Sequence, residues 1–182
     1  MKMSYIAKLL VLVLAVSMSS VAWSAPRPGA QGSSQMLTQT EIETLTYMRE
    51  EEKLARDLYL SFDQFYSAPG ARVFRNIAKS EQKHMDTVKK LLTTYGIEDP
   101  VKDDAIGVFL NKDLKILYQT LLLKGEANLV EAFKVGVLIE ETDIVDLAKA
   151  IAETDKRNIE RVYQNLLKAS EHHLSAFNRQ VQ

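Results

Sequence analysis

Glutamate and histidine side chains interrupt the apolar stripes of several segments that have helical periodicity. Glu81 and His84 are three residues apart, and side chains at that spacing share one face of a helix. Burying a carboxylate is costly unless a partner or a cation offsets its charge. The pair therefore predicts either a polar core, in which glutamates and histidines satisfy each other, or a metal site between helices. The same stripe carries the apolar residues Ile77, Met85, Val88, Leu91 and Leu92.

Three other segments bring the same side-chain types onto their predicted buried faces. Glu52, Glu141 and His173 each fall on a stripe of apolar residues at helical spacing. Carboxylates bind hard ions, and imidazole suits iron, manganese and zinc. We therefore predict one or two metal ions, iron or manganese in the first place with zinc also compatible, and no organic cofactor. The candidate metal ligands are Glu52, Glu81, His84, Glu141 and His173, with Glu51 and Glu140 as secondary candidates.

Neighbouring polar and aromatic residues have structural interpretations. Glu50 and Lys53 are interpreted as solvated charges, and His172, one residue off the stripe, as a surface residue. Tyr59 and Tyr163 are interpreted as core packing residues rather than as ligands. The sequence has no phosphate-binding loop and no Gly-x-Ser-x-Gly motif. Nucleotide-binding and hydrolase functions therefore find no support.

The elements that must position these residues are helices. From Thr38 onward apolar residues recur at intervals of three and four, and no alternating strand pattern appears. Thr40 and Glu43 have the spacing of a capping box at the start of the first helix. The pattern predicts an all-α four-helix bundle with a long crossover that carries a short extra helix. The predicted helices span 40–66, 71–95, 111–124, 127–152 and 155–180.

The two halves of the chain repeat each other at a shift of 89 residues. EEKLARDL (51–58) aligns with EETDIVDL (140–147), and RVFRNIAKSEQKHM (72–85) aligns with RVYQNLLKASEHHL (161–174). The repeat predicts that the bundle consists of two similar helical hairpins. One position departs from it, because Ser170 stands where the first half has Glu81. One expected carboxylate is therefore missing, and whether the site holds one ion or two stays open.

The motifs MREEEKLARDLY, SEQKHMD, VGVLIEETDIVDL and ASEHHLSAF identify a family resemblance. The sequence resembles the ferritin-like superfamily and, more closely, the uncharacterised family catalogued as domain of unknown function 2202. The resemblance covers roughly residues 40–180 and implies a ferritin-like four-helix bundle, but no established activity. Ferritin-like di-iron and di-manganese bundles take a Glu from each of two helices and a Glu-x-x-His motif from each of the other two.

The N-terminal segment has the pattern of an export signal. Lys2 and Lys8 precede an apolar run, and a small-residue motif ends at Ser24. We predict a signal peptide at 1–24, a flexible linker at 25–37 and the helical domain at 38–182. The alternative is an uncleaved membrane anchor, but the apolar run is shorter than the roughly 20 residues that span a bilayer. The mature protein is then expected in the periplasm or outside the cell, free of the membrane.

Composition narrows the function further. The chain of 182 residues has a net charge of −1 and no cysteine, which argues against a nucleic-acid partner and excludes thiolate metal sites. Two functions remain open. One is an exported metal-binding bundle in iron handling or redox protection, and any enzymatic activity would be that of a ferroxidase or peroxidase. The other is a metal-free structural or stress-related bundle with a relic polar core. The short extra helix would offer a surface for a homodimer.

Overall fold

The computed structural model describes residues 36–182, which form five α-helices and no β-strand. The prediction of an all-helical bundle is confirmed. The largest difference in helix bounds is two residues, at the start of the fourth helix (129 against 127) and of the fifth (157 against 155). The predicted signal peptide and nearly all of the predicted linker lie outside the described residues. The helices are α1 (Gln39–Phe65), α2 (Arg72–Thr94), α3 (Lys112–Gly125), α4 (Leu129–Glu153) and α5 (Arg157–Val181), with a 3-10 turn at Pro69–Ala71.

A capping box begins α1, two residues before the predicted one. The backbone N–H of Glu41 donates to Thr38 Oγ1 at 3.1 Å, and the N–H of Thr38 donates to Glu41 Oε2 at 2.8 Å. The prediction of Thr40 with Glu43 was therefore wrong, although both pairs have the same spacing. A tertiary contact distinguishes the two pairs, because Glu41 also accepts a hydrogen bond of 2.7 Å from Thr154 at the end of α4.

The four long helices pack with antiparallel neighbours. α1 contacts both α2 and α4, and α5 contacts the same two helices. Glu41 near the start of α1 meets Thr154 after the end of α4, whereas Tyr59 further along α1 meets Glu140 nearer the start of α4. None of the helices in residues 36–182 combines the length and the apolar content that crossing a bilayer requires.

The apolar core of the bundle is divided into two clusters. One cluster is rich in aromatic residues, and Phe74 lies at its centre with its ring 5.1 Å from that of Phe133. The other cluster contains Leu45, Leu147 and Tyr163. On each long helix, the buried positions between the two clusters are polar, apart from Met85 on α2. These positions form one polar layer at mid-height, closed above and below by apolar side chains.

The crossover between α2 and α4 packs its loop and α3 against the outside of α1. Lys53 is fully buried and donates to Asp57 Oδ2 at 2.5 Å and to the carbonyl of Ala105 at 2.7 Å. Glu50 is also buried and accepts a hydrogen bond of 2.6 Å from the N–H of Leu110. The expectation that Glu50 and Lys53 are solvated was therefore wrong. The crossover covers a face of α1 that a bare four-helix bundle would expose.

Candidate metal centre

Five buried side chains meet in the polar layer at the middle of the bundle. They form two groups that each offer three ligand atoms within 4.8 Å of one another. The first group is Glu52, Glu81 and His84, and the second is Glu81, Glu140 and His173. Glu81 belongs to both groups. The arrangement can therefore hold one ion in either group or two ions that share one carboxylate.

The two oxygens of Glu81 face different histidines. Oε2 lies 2.7 Å from Nδ1 of His84, and Oε1 lies 2.8 Å from Nδ1 of His173. Glu52 Oε2 approaches the first imidazole at 3.1 Å, and Glu140 Oε2 approaches the second at 3.5 Å. The two rings are 5.6 Å apart between centroids and nearly parallel, at 27°. This pseudo-symmetric arrangement has a shared carboxylate in the middle and one further carboxylate on each side.

Several atoms of the centre have no hydrogen-bond partner within residues 36–182. They are Glu52 Oε1, Glu81 Oε1 and His173 Nδ1, all of them buried. Glu81 Oε1 and His173 Nδ1 are close, but their contact lacks hydrogen-bond geometry. Buried polar atoms are normally paired, and unpaired ones call for an ion or a water. The donor set therefore fits a bound cation.

Burial and the neighbouring histidines shift the pKa values of the three carboxylates in different directions. Burial acts to raise the pKa of Glu81, but the contacts with His173 and His84 outweigh it and lower the pKa to about 2. Burial raises the pKa of Glu52 to about 7 against the opposing charge of His84. Burial, assisted by the charge of Glu81, also raises the pKa of Glu140 to about 7. The shared carboxylate is therefore the most acidic of the three.

Both histidines are held in the protonated form by these carboxylates. Burial acts to lower the pKa of His84, but the charge of Glu52 and the contacts with Glu81 raise it to about 11. For His173, the contacts with Glu140 and Glu81 outweigh burial and raise the pKa to about 10. In the metal-free protein, two imidazolium groups thus supply the positive charge between the carboxylates. Imidazole must be neutral to ligate a metal, so metal binding here would release protons.

Glu141 does not lie in the centre. It is exposed, whereas Glu140, a secondary candidate, is 2% exposed and lies in the second group. The sequence pattern placed Glu141 on the buried face of α4 because Val137 and Leu138, four and three residues before it, are apolar and lie on the same side of the helix. Those residues are only partly buried, at the border of the aromatic cluster. Helix α4 packs against α3 as well as against α1 and α5, so it is apolar on more than one side. The sequence pattern therefore does not show which side faces the centre of the bundle.

Asp143 is a polar-layer residue that the sequence analysis missed. It is buried, and its Oδ2 accepts a hydrogen bond of 2.5 Å from Ser170 Oγ. Burial and the charges of Glu52 and Glu140 raise its pKa well above the ordinary value. The sequence pattern that could have identified Asp143 is its three-residue spacing from Glu140, the same spacing as that of Glu81 and His84 on α2. It was missed because Glu141 was taken as the first candidate on α4.

The remaining residues singled out from sequence lie around the centre. Glu51 is buried, and burial together with the charges of Asp143 and Asp146 raises its pKa well above the ordinary value. Tyr59 packs in the core as predicted, but its hydroxyl also donates to Glu140 Oε1 at 2.7 Å. Tyr163 lies in the second apolar cluster. His172 is exposed, as predicted. Tyr59 therefore links the aromatic cluster to the centre by orienting Glu140.

Comparison with known proteins gives consistent matches over the helical part of the chain. Residues 41–182 match the family described as "Uncharacterized protein domain (DUF2202)". The chain is 50% identical over 147 residues to the uncharacterised protein MJ0754 of Methanocaldococcus jannaschii, a match that covers 81% of this chain and 78% of that protein. A crystal structure of hypothetical protein MJ0754 from Methanococcus jannaschii superposes with a TM-score of 0.78 at 47% identity, covering 87% of this chain and 85% of that one.

Proposed function

The chain belongs to the DUF2202 family, and from the geometry of its polar layer we propose that it binds metal in the core of a ferritin-like bundle. The ions are iron or manganese, one or two per chain. The ligands are Glu52, Glu81, His84, Glu140 and His173. The family description carries no activity, so the proposal rests on the site itself.

The observation that carries the proposal is the sharing of Glu81 between two three-ligand groups. Two apolar clusters close the layer on both sides, so its charges are costly unless they are compensated. Five buried carboxylates and two imidazoles lie in and beside the two ligand groups, so two protonated imidazoles balance only two of the five carboxylates when all five are ionised, which leaves an excess of negative charge. The carboxylates are Glu51, Glu52, Glu81, Glu140 and Asp143. A divalent ion in each group would reduce this excess.

The donor types favour iron or manganese. Carboxylate oxygens prefer hard ions, imidazole suits iron and zinc, and the chain has no cysteine to select a soft ion. Iron or manganese would supply redox chemistry when bound, and the buried layer would keep bulk water from it. Zinc is compatible with the same donors and is the redox-inactive alternative.

The ferritin-like architecture is part of the proposal. Its support is that α1 with α2, and α4 with α5, are the most extensively packed helix pairs, as two repeated hairpins require. The first pair contributes Glu52, Glu81 and His84 to the ligand groups, and the second pair contributes Glu140 and His173. With the predicted signal peptide, this gives an exported bundle in iron handling or redox protection. Any catalysis would be of the ferroxidase or peroxidase type.

Metal loading of the purified protein tests the proposal. The metal-free protein is incubated anaerobically with Fe(II), Mn(II) or Zn(II), desalted and analysed for bound metal. We expect one or two equivalents of ion in the wild type and none in Glu81→Gln, which alters both groups at once. Glu171→Gln changes an exposed residue of α5 and should bind as the wild type does. A wild type that retains no metal, and whose melting temperature no ion changes, would instead support the metal-free structural bundle.

A further inference from the structure

Helix α5 has no carboxylate at the position where the internal repeat predicts one. Ser170 occupies the position that matches Glu81, and it is completely buried in the polar layer. A serine there offers a hydroxyl instead of the carboxylate that Glu81 offers in the first half of the chain. Its hydroxyl instead donates to Asp143 Oδ2 at 2.5 Å and also contacts the carbonyl of Leu166 at 3.1 Å. The residue that replaces the expected glutamate on α5 is therefore hydrogen-bonded to a carboxylate of α4, that of Asp143.

Asp143 has one oxygen held and one oxygen free. The hydrogen bond from Ser170 holds Oδ2, whereas Oδ1 is buried and has no hydrogen-bond partner in the described part of the chain. Asp143 as a whole is 6% exposed. The charges that raise its pKa belong to carboxylates of the centre, Glu52, Glu140 and Glu81. An unpaired buried oxygen among like charges is destabilising unless a cation or a proton is present.

Both ligand groups act on Asp143. Glu52 belongs to the first group and Glu140 to the second, and the charges of both raise the pKa of Asp143. Asp143 also lies on the same face of α4 as Glu140, three residues further along. Asp143 lies outside the two groups of ligand atoms within 4.8 Å of one another, and its hydrogen-bond partner Ser170 is three residues before His173 of the second group, on the same face of α5.

We propose that Asp143 is a further carboxylate ligand of the metal centre and replaces, from α4, the glutamate that Ser170 displaces on α5. The proposal rests on the proposed function, because a centre that binds no metal needs no further ligand. Ser170 acts as a positioning residue, since its hydrogen bond fixes one oxygen of Asp143 and leaves the other for the ion. The centre then has six protein ligands, enough for two ions that are completed by water.

The test compares Asp143→Asn with the wild type. Asparagine keeps the shape of the side chain and can still accept the hydrogen bond from Ser170, but it removes the charge. We expect binding of the second Mn(II) equivalent to weaken by about tenfold or more, because losing a ligand should cost at least as much as losing a hydrogen-bond partner of a ligand. Electron paramagnetic resonance should change from the signal of two interacting Mn(II) ions to that of a single ion. Glu171→Gln, beside Ser170 but exposed, serves as the control.

Stability separates a ligand from a packing residue. Removing the charge of Asp143 relieves repulsion among carboxylates, so metal-free Asp143→Asn should melt at or above the temperature of the metal-free wild type. A residue that only supports packing would lower that temperature. The exchange variant Asp143→Ser with Ser170→Glu returns the carboxylate to α5 and should restore the second equivalent.

The outcomes separate the two proposals. If the wild type binds only one ion, or binds two and Asp143→Asn binds both equally tightly, the role of Asp143 is refuted while the proposed function stands. If the wild type binds no metal, both are refuted. If Asp143→Asn loses the second ion and the exchange variant regains it, the role is established independently of any activity.

Discussion

The neighbouring residues Glu140 and Glu141 give the sharpest test of the site. They have the same side chain and differ by one position on α4, yet Glu140 is 2% exposed and belongs to the second ligand group while Glu141 is exposed. Glu140→Gln should therefore lose one ion, the one held with His173. Glu141→Gln should lose none. The apolar pattern of the sequence, which put Glu141 on the buried face, predicts instead that Glu141→Gln loses the ion and Glu140→Gln keeps it.

The size of the effect follows from the linkage between binding and folding. A ligand at 100 times its dissociation constant stabilises the folded protein by about 2.7 kcal/mol. For a chain of this size each kcal/mol raises the melting temperature by roughly 2–4 °C, so one ion should add about 5–10 °C. If Glu140→Gln weakens that ion 100-fold, the remaining stabilisation from it is about 0.4 kcal/mol, or about 1 °C.

The assay is thermal unfolding followed by circular dichroism, with and without Mn(II), on the wild type and both variants. Each protein is compared with its own metal-free form, which removes any direct effect of the substitution on stability. We expect the metal-induced increase to fall by about 5–9 °C in Glu140→Gln and to be unchanged in Glu141→Gln. Equal increases in all three proteins, or a loss confined to Glu141→Gln, would refute the assignment of Glu140.

Three further predictions concern the pH dependence, the crossover and the packing of α4. Because the pKa of His84 is about 11 and that of Glu52 about 7, both above their ordinary values of 6.5 and 4.5, the metal-free folded protein holds more protons than the unfolded chain from about pH 4.5 to 10. Its melting temperature should therefore fall from about pH 6 to about pH 9, and saturating Mn(II) should reduce the fall; a rise with pH in the metal-free form would contradict this. Asp57→Ala leaves two buried cations without their shared carboxylate and should cost about 3–5 kcal/mol in urea unfolding without changing the number of bound ions. Gly136→Ala would place a Cβ 2.8 Å from the Phe177 ring and should cost about 1–3 kcal/mol, whereas a cost near zero would mean that the ring moves freely.

The buried glutamates and histidines of α2 and α5 were predictable because their helices have one clear apolar stripe. Glu81, His84 and His173 lie where the three- and four-residue spacing puts them, and all three are buried. On α1 the same periodicity found Glu52, but it missed the burial of Glu50 and Lys53, because the crossover covers a second side of that helix. Periodicity determines which side of an amphipathic helix faces the core, provided that only one side is covered.

The sequence alone determined the helical class and the helix bounds to within two residues. It named four of the five residues that the structure groups as first candidates and the fifth, Glu140, as a secondary one. Only the tertiary structure decided between Glu140 and Glu141, because α4 is covered by α3 as well as by the bundle and its apolar residues mark two sides. It also decided that Lys53 is buried and that Asp143 meets Ser170. These contacts join residues that are distant in the chain, and periodicity within one helix carries no information about which neighbour covers each side.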